Sequence, residues 1–289
     1  MTPRISVVVA TRDRRALLAR TLGELSALPE RPEVIVVDNA STDGTAQMVE
    51  HTFPDVALIR LPRNIAAAAR NLGVRRAAAD YVAFSDDDSW WAPGALGRAA
   101  DLFDRHARLG AVAARTLVGP PGAVDPVSRE LADSPLPRAW DLPGPSVLGF
   151  LACSTVVRKS AFLAAGGFDP VLFLGGEETL LAYDLTVAGW GVVYAHDLVA
   201  RHFPAPRRDT TGREVTQRRN DVLTCWMRRP LGRALARSWS LTCSARHDRI
   251  ARRAFVQLAI TLPRALARRR RVPWVVEAQI RMLEDGATL

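Results

Sequence analysis

The sequence predicts an α/β protein, a mostly parallel sheet flanked by helices with a mainly helical C-terminal extension. Three observations lead there. Two short β-branched runs, Ile5 to Ala10 and Val34 to Asp38, are predominantly apolar, as strands covered on both faces of a sheet are. Between them, Leu17, Leu18, Leu22, Leu25 and Leu28 recur at helical spacing. The alternation of strand-like and helix-like segments then continues to Phe84, the pattern of successive β-α-β units.

The elements follow in order. Ser41 to Gly44 offers helix-capping residues for a helix through Glu50, and Val56 to Leu61 reads as a third strand. Ala66 to Ala79 is an alanine-rich helix, and Tyr81 to Phe84 is a fourth strand running into Asp86, Asp87 and Asp88. In sheets of this kind ligands bind beyond the carboxyl ends of the strands, where Asp38 and the triple aspartate both fall. Residues 117 to 147 are rich in proline and glycine with little periodicity, which predicts a long functional loop. Regular structure resumes over Gly149 to Arg158. The turn-rich Gly166 to Pro170 comes next, then a helix opening at Gly175-Gly176-Glu177-Glu178 and running through Ala188, and a last strand over Val192 to Ala195. From Val215 onward arginine-rich helical segments are broken at Pro230, Pro263 and Pro273. The expected division is therefore 1–210, in halves of 1–115 and 116–210, followed by a basic helical extension over 211–289.

At 289 residues and 48% hydrophobic, the chain can bury one sizeable core. Cys153, Cys225 and Cys243 show neither disulfide nor zinc spacing, which fits a reducing cytoplasm. No run reaches the roughly 20 apolar residues of a membrane span, the longest late stretch being Ala254 to Leu262. The net charge of +9 comes almost entirely from arginine, Lys159 being the only lysine. The excess lies after residue 200, whereas the first hundred residues carry acidic clusters that repel a polyanion, so no nucleic-acid partner is expected. Arg264 and Arg268 to Arg271 beside the apolar run 255–262 would suit peripheral contact with an anionic membrane or an acidic partner, the alternatives being a solvated helix face or a homo-oligomer contact.

Three adjacent carboxylates at a strand end repel one another. A hard divalent cation with oxygen ligands would offset that repulsion; without one, the run is a solvated turn that caps the following helix. A dinucleotide enzyme would need a glycine-rich turn after the first strand, and Ala10 to Arg15 contains no glycine. Trp90 and Trp91 read as packing residues.

Val36 to Thr45, Asn64 to Asn71 and Phe84 to Asp88, in that order, resemble the donor-binding half of family 2 glycosyltransferases with the GT-A, Rossmann-like fold. The resemblance continues through Gly166 to Asp169, Gly176 to Glu178 and Ala188 to Tyr194, and spans residues 4 to about 204. It implies transfer of a sugar from a nucleoside-diphosphate donor, UDP- or dTDP-linked, to an acceptor hydroxyl or amine. A divalent metal, Mn2+ or Mg2+, and an inverting displacement come with it. A non-catalytic nucleotide-sugar or nucleic-acid binding protein retaining the fold is the alternative.

Residue by residue, the resemblance gives Thr11 a nucleoside contact and Asp38 the base or ribose, with Asn39 shaping the turn. Arg70 approaches the base or the diphosphate, and Asp86 faces the ribose or sugar side and the metal. Asp88 ligates the metal, while Asp87 shares either role or points away. His202 lies where relatives supply a histidine to metal or diphosphate, His196 being a weaker candidate. Glu177 and Glu178 match the family's Glu-Asp pair, whose second acid is the catalytic base. Glutamate replaces aspartate here, so which of the two acts is left open, with Asp184 the next candidate.

Overall fold

The computed structural model describes residues 4–120, 122–204 and 210–286. Its strands are β1 (Ile5–Thr11), β2 (Glu33–Asp38), β3 (Ala57–Arg60), β4 (Tyr81–Ser85), β5 (Ser89–Trp91), β6 (Leu109–Val118), β7 (Ala123–Val124), β8 (Thr155–Arg158) and β9 (Gly191–His202). They form one sheet in the order β3-β2-β1-β4-β8-β6-β9-β5, with β7 paired to β6. The helices are α1 (Arg15–Ser26), α2 (Thr45–Thr52), α3 (Ala69–Arg76), α4 (Ala95–Arg105), α5 (Pro126–Ala132), α6 (Lys159–Ala164), α7 (Glu177–Val187), α8 (Thr210–Arg228), α9 (Leu231–Ser244), α10 (Arg249–Leu266) and α11 (Trp274–Gly286).

The apolar run of β1 is buried on both faces because helices cover both. Val7 and Val9 share a core with Leu18, Leu22 and Leu25 of α1, whereas Val8 points the other way, into a core with Val74 of α3 and Phe84. β1 pairs in parallel with β2 on one side and β4 on the other. The chain therefore reverses its direction of winding between β1 and β4, and a crevice opens beyond their carboxyl ends. Thr11, Asp38 and the triple aspartate all border that crevice.

The sheet is mixed rather than purely parallel, its longer ladders, β1 with β2 and β4, β2 with β3, and β6 with β9, being parallel. β8 runs antiparallel between β4 and β6, and β5 runs antiparallel to β9. The apolar β-branched runs that mark strands in the sequence read the same in either direction. α4 and β6 went unanticipated, and the expected 117–147 loop starts inside β6, contains α5, and returns at Ser146 to bridge Val193 of β9. The alanine-rich segment opens as a 3-10 turn at Ala66–Ala68 and ends at Arg76. Pro263 does not break its helix. It sits in the final turn of α10, where a missing N–H removes one bond rather than a ladder.

The extension packs on the 116–210 half through shared apolar clusters. Leu172 and Leu180 of the α7 region join Val215, Leu223, Met227, Leu241 and Leu258, while Tyr183 of α7 joins Val276 and Ile280 of α11. The expected division near residue 210 adjoins residues 205–209, which lie outside the described residues.

Close packing of α3 on the sheet depends on Gly73. A Cβ there would lie 2.4 Å from Val8 Cγ1 and 3.3 Å from Val37 Cγ2, both on buried strands. Gly73→Ala should therefore cost about 1–3 kcal/mol by overpacking, read as a lower urea midpoint at unchanged slope. Gly97→Ala in α4 meets no atom within 4 Å and should be neutral or stabilising.

Candidate functional site

The three aspartates after β4 occupy three different environments. Asp86 accepts a hydrogen bond from Arg70 Nη2. Asp87 turns inward: its carboxylate accepts from Thr11 Oγ1 at 3.0 Å, and its backbone carbonyl accepts from Thr21 Oγ1 at 2.9 Å. Burial, together with the charges of Asp86 and Asp88, pushes the Asp87 carboxyl up to about 7. Asp88 lies 3.3 Å from His202 Nε2, a meeting set by the antiparallel pairing of Ser89 with His202 and by the Phe203 N–H donating to Asp88 O at 2.8 Å. Burial alone would lower the His202 pKa, but the hydrogen bond and charge of Asp88 outweigh it and raise it.

Asp38 ends β2, opposite Thr11 in register. It accepts from the Ser41 N–H at 3.0 Å and from the Ser41 hydroxyl. Asn39 ties this turn to the next segment, its Oδ1 accepting from Ile65 N at 3.1 Å. Ala40 and Ala66, on either side of that tie, both hold positive φ, 61° and 48°, uncommon for a residue with a Cβ. Thr11 therefore links the end of β2 to the aspartate turn, pairing with Asp38 through its backbone and with Asp87 through its hydroxyl.

Glu177 and Glu178 open α7 directly after Gly175 and Gly176, both with positive φ, 86° and 87°. Those values favour glycine and let the chain turn sharply into the helix. Glu177 is buried, and its Oε2 has no hydrogen-bond partner. Burial raises its pKa, and Glu178 is pushed up to about 8 by burial and by the charge of Glu177. Arg70 faces Asp86, Glu177 and Glu178 together. Its burial acts to lower its pKa, but the three carboxylates more than reverse this. The guanidinium also lies 5.9 Å from the ring centroid of Phe168.

Sequence reasoning missed two supports for this cluster. Asn71, next to Arg70, pins Phe168 in both directions, donating to its carbonyl and accepting from its N–H, each at 2.9 Å. Gly167 has to be glycine because a Cβ would lie 2.6 Å from Asn71 Oδ1. Asn220 of α8, fully buried, donates to the carbonyls of Leu172 at 2.8 Å, Leu174 at 3.0 Å and Gly175. Arg219 adds a bond to Leu172 O at 2.7 Å, and Ala67 N donates to Phe173 O at 3.1 Å. The segment leading into Glu177 is thus clamped from two sides. Asn71 stood inside a recognised motif, but nothing near Asn220 in the sequence marks it.

Other candidates lie apart. His196 sits six residues before His202 on β9, at an irregularity where Ala195 and Val199 pair with adjacent residues of β6, exposed and 2.9 Å from Arg115 Nη1. Asp184 is held by Arg228 in a two-pronged ion pair at 2.6 and 2.7 Å. Trp91 is buried and donates to Phe84 O at 3.2 Å, and Trp90 stacks on Phe203 at 4.7 Å, so both pack as expected. Among the described residues no group of three His, Cys, Asp or Glu side chains is arranged to hold a cation. Asp88 and His202 still suit one that completes its shell with water and substrate phosphates, as magnesium commonly does.

Residues 6–164 match the family model described as glycosyl transferase family 2. The chain is 30% identical over 248 residues to N-acetylglucosaminyl-diphospho-decaprenol L-rhamnosyltransferase of Mycobacterium tuberculosis, covering 74% of this chain and 80% of that protein. Pre-mycofactocin glycosyltransferase of the same organism is 30% identical over 227 residues, covering 73% and 45%. Among solved structures, the mannosyltransferase PcManGT from Pyrobaculum calidifontis, in complex with GDP-Man and Mn2+, superposes with a TM-score of 0.60 at 21% identity, covering 100% of this chain and 80% of that one. S. aureus TarS 1-349 in complex with UDP-GlcNAc gives 0.60 at 17% identity, covering 96% and 83%. At these identities the structures speak for the fold.

Two measurements check this geometry. Asn220→Ala removes this donor from the carbonyls of Leu174 and Gly175, while Leu172 O keeps its bond from Arg219, and should cost about 1–3 kcal/mol in stability and lower kcat more than it raises the donor KM. An unchanged kcat would show that the clamp does not position Glu177 and Glu178. Asp87 and Glu178 bind protons more tightly folded than unfolded, so the stability they add is full below the ordinary carboxylate range and lost as pH rises through about 7 to 8. The Tm of the metal-free protein should fall across that window, and Asp87→Asn should flatten the fall.

Proposed function

The chain belongs to glycosyltransferase family 2, and on that premise we propose that it moves a hexosyl group from a UDP- or dTDP-linked donor by inverting displacement, with Glu178 as the base. The observation that carries this reading is the placement of Arg70, which faces the donor-side Asp86 and the Glu177–Glu178 pair at once. The carboxylate that removes the acceptor proton and the carboxylates that meet the donor thus share one crevice.

On the donor side, Asp38 receives the base or ribose, Thr11 borders the nucleoside, and Asn39 holds the turn that shapes this end. Asp86 meets the ribose or sugar with Arg70 behind it. Asp88 and His202 would hold a divalent cation, Mn2+ or Mg2+, which supplies charge neutralisation to the departing nucleoside diphosphate. Asp87 braces Thr11 and the β1 end, its inward carboxyl bonded to the Thr11 hydroxyl.

On the acceptor side, burial and its neighbour give Glu178 a pKa near neutrality, where a general base works best. Glu178 takes the proton of the acceptor hydroxyl or amine as that atom attacks the anomeric carbon. Glu177, itself buried, helps hold that pKa up through its own charge. The likeness to an enzyme named for a diphospho-decaprenol-linked acceptor supports a polyprenyl-diphosphate sugar as acceptor here. No helix among the described residues is long and apolar enough to cross a membrane, and we place the enzyme in the cytoplasm, meeting such an acceptor from the membrane's inner surface.

Transfer assays with a panel of nucleotide sugars and Mn2+ test the reading. Glu178→Gln should lower kcat by about 10²–10⁴-fold with donor affinity within a few-fold, and Glu177→Gln should be milder. Full activity in Glu178→Gln would remove it as the base. Asp88→Ala should abolish divalent-dependent donor binding in calorimetry without unfolding the protein, and turnover undiminished by exhaustive chelation would overturn the metal role. Because the base must be ionised, kcat/KM should climb from acid pH toward a plateau above the Glu178 pKa of the free enzyme.

A further inference from the structure

The inward face of α10 is made by Ala251, Ala254, Leu258 and Ala265. Its outward face should then be polar in a helix that meets only water. Instead, Val256, Ala259, Ile260 and Pro263 stand there at the spacing of one helical stripe, all exposed, with Ile260 at 74% and Val256 at 54%. Phe255 and Leu266 widen the stripe on one flank, and Arg253 and Arg264 border it on the other. α9, packed against α10, carries a second exposed stripe of Leu231, Leu235 and Trp239.

Charge decides what can cover such a face. Between Pro230 and Val272 the chain holds eleven arginines and one acidic residue, Asp248. That residue is already committed, ion-paired to Arg218 and accepting from Ile250 N at 2.7 Å to cap α10. α10 itself carries no acidic residue, so a second copy of this chain docked face to face through α10 would bring arginine against arginine. An apolar stripe bordered by cations, by contrast, complements the apolar interior and anionic headgroups of a lipid leaflet.

We infer that α10 lies in the plane of an anionic membrane surface, with Val256, Ile260 and Pro263 entering the acyl boundary and Arg253 and Arg264 meeting lipid phosphates. This deepens the reading of a polyprenyl-linked acceptor, since the same contact would hold the enzyme where such an acceptor resides. Vesicle binding is measured without turnover, so either idea can fail while the other stands.

The test is flotation of the full chain with phosphatidylglycerol–phosphatidylcholine vesicles and with phosphatidylcholine alone. We expect association with the anionic vesicles that weakens steadily with added salt, and little with the neutral ones. Val256→Glu combined with Ile260→Glu, both on the exposed face and so compatible with folding, should lower partitioning at least tenfold while transfer to a water-soluble acceptor is unchanged. Arg253→Gln with Arg264→Gln should weaken binding several-fold and reduce its salt dependence. The proposal is overturned by absence of association at low salt, by binding that the glutamate pair leaves intact, or by a wild-type dimer that the glutamate pair converts to monomer.

Discussion

One buried cation organises the site. A guanidinium removed from water is costly unless charges and hydrogen bonds around it compensate, and a pair broken by loss of one partner is worse than no pair at all. Arg70 is buried on α3, bonded to Asp86 from the strand side and facing Glu177 and Glu178 from the helix side. The dependence is mutual, because three carboxylates gathered at one crevice would repel one another without it. Phe168, pinned by Asn71, closes the remaining side of the guanidinium with an aromatic ring. Two segments far apart in sequence are thus bound by a single electrostatic centre.

The same logic accounts for a triple aspartate that is not three equivalent acids. Asp86 is neutralised by Arg70, Asp87 is drawn inward to a hydroxyl with its pKa raised, and Asp88 stands beside an imidazole whose positive form it favours. The three lie in a tight turn after β4, closed by the Ser89 N–H donating to Asp86 O at 3.2 Å, so consecutive carboxylates are dealt into separate environments. The repulsion that the bare sequence suggests is largely dispersed by that geometry.

Much of this was legible beforehand. The β1 run and the leucine spacing of α1 could hardly have been read otherwise, because an apolar strand followed by a 3.6-residue stripe needs a helix-covered sheet. Asp38, Arg70 and the aspartates were found by their motifs and by their places at strand ends. Strand direction was not legible, since β8 buries the same residues whichever way it runs. Asn220 was invisible for a different reason: its partners are backbone carbonyls some 45 residues away, and backbone groups leave no mark in a sequence. The arginine-rich stretch after residue 200 looked uniform, yet Arg228 and Arg229 are buried in ion pairs while others lie on the surface.

The clamp on the 172–175 segment also bears on how such proteins can diversify. Asn220 and Leu223 belong to the extension, Leu172 and Leu180 to the 116–210 half, and they meet in one hydrogen-bonded, apolar junction. A tail exchanged between relatives at a junction near residue 210 would separate the asparagine from the carbonyls it serves. The segment before α7 and the helix that grips it therefore form one unit of inheritance. A change in the C-terminal helices would have to evolve in step with the segment that presents Glu177 and Glu178.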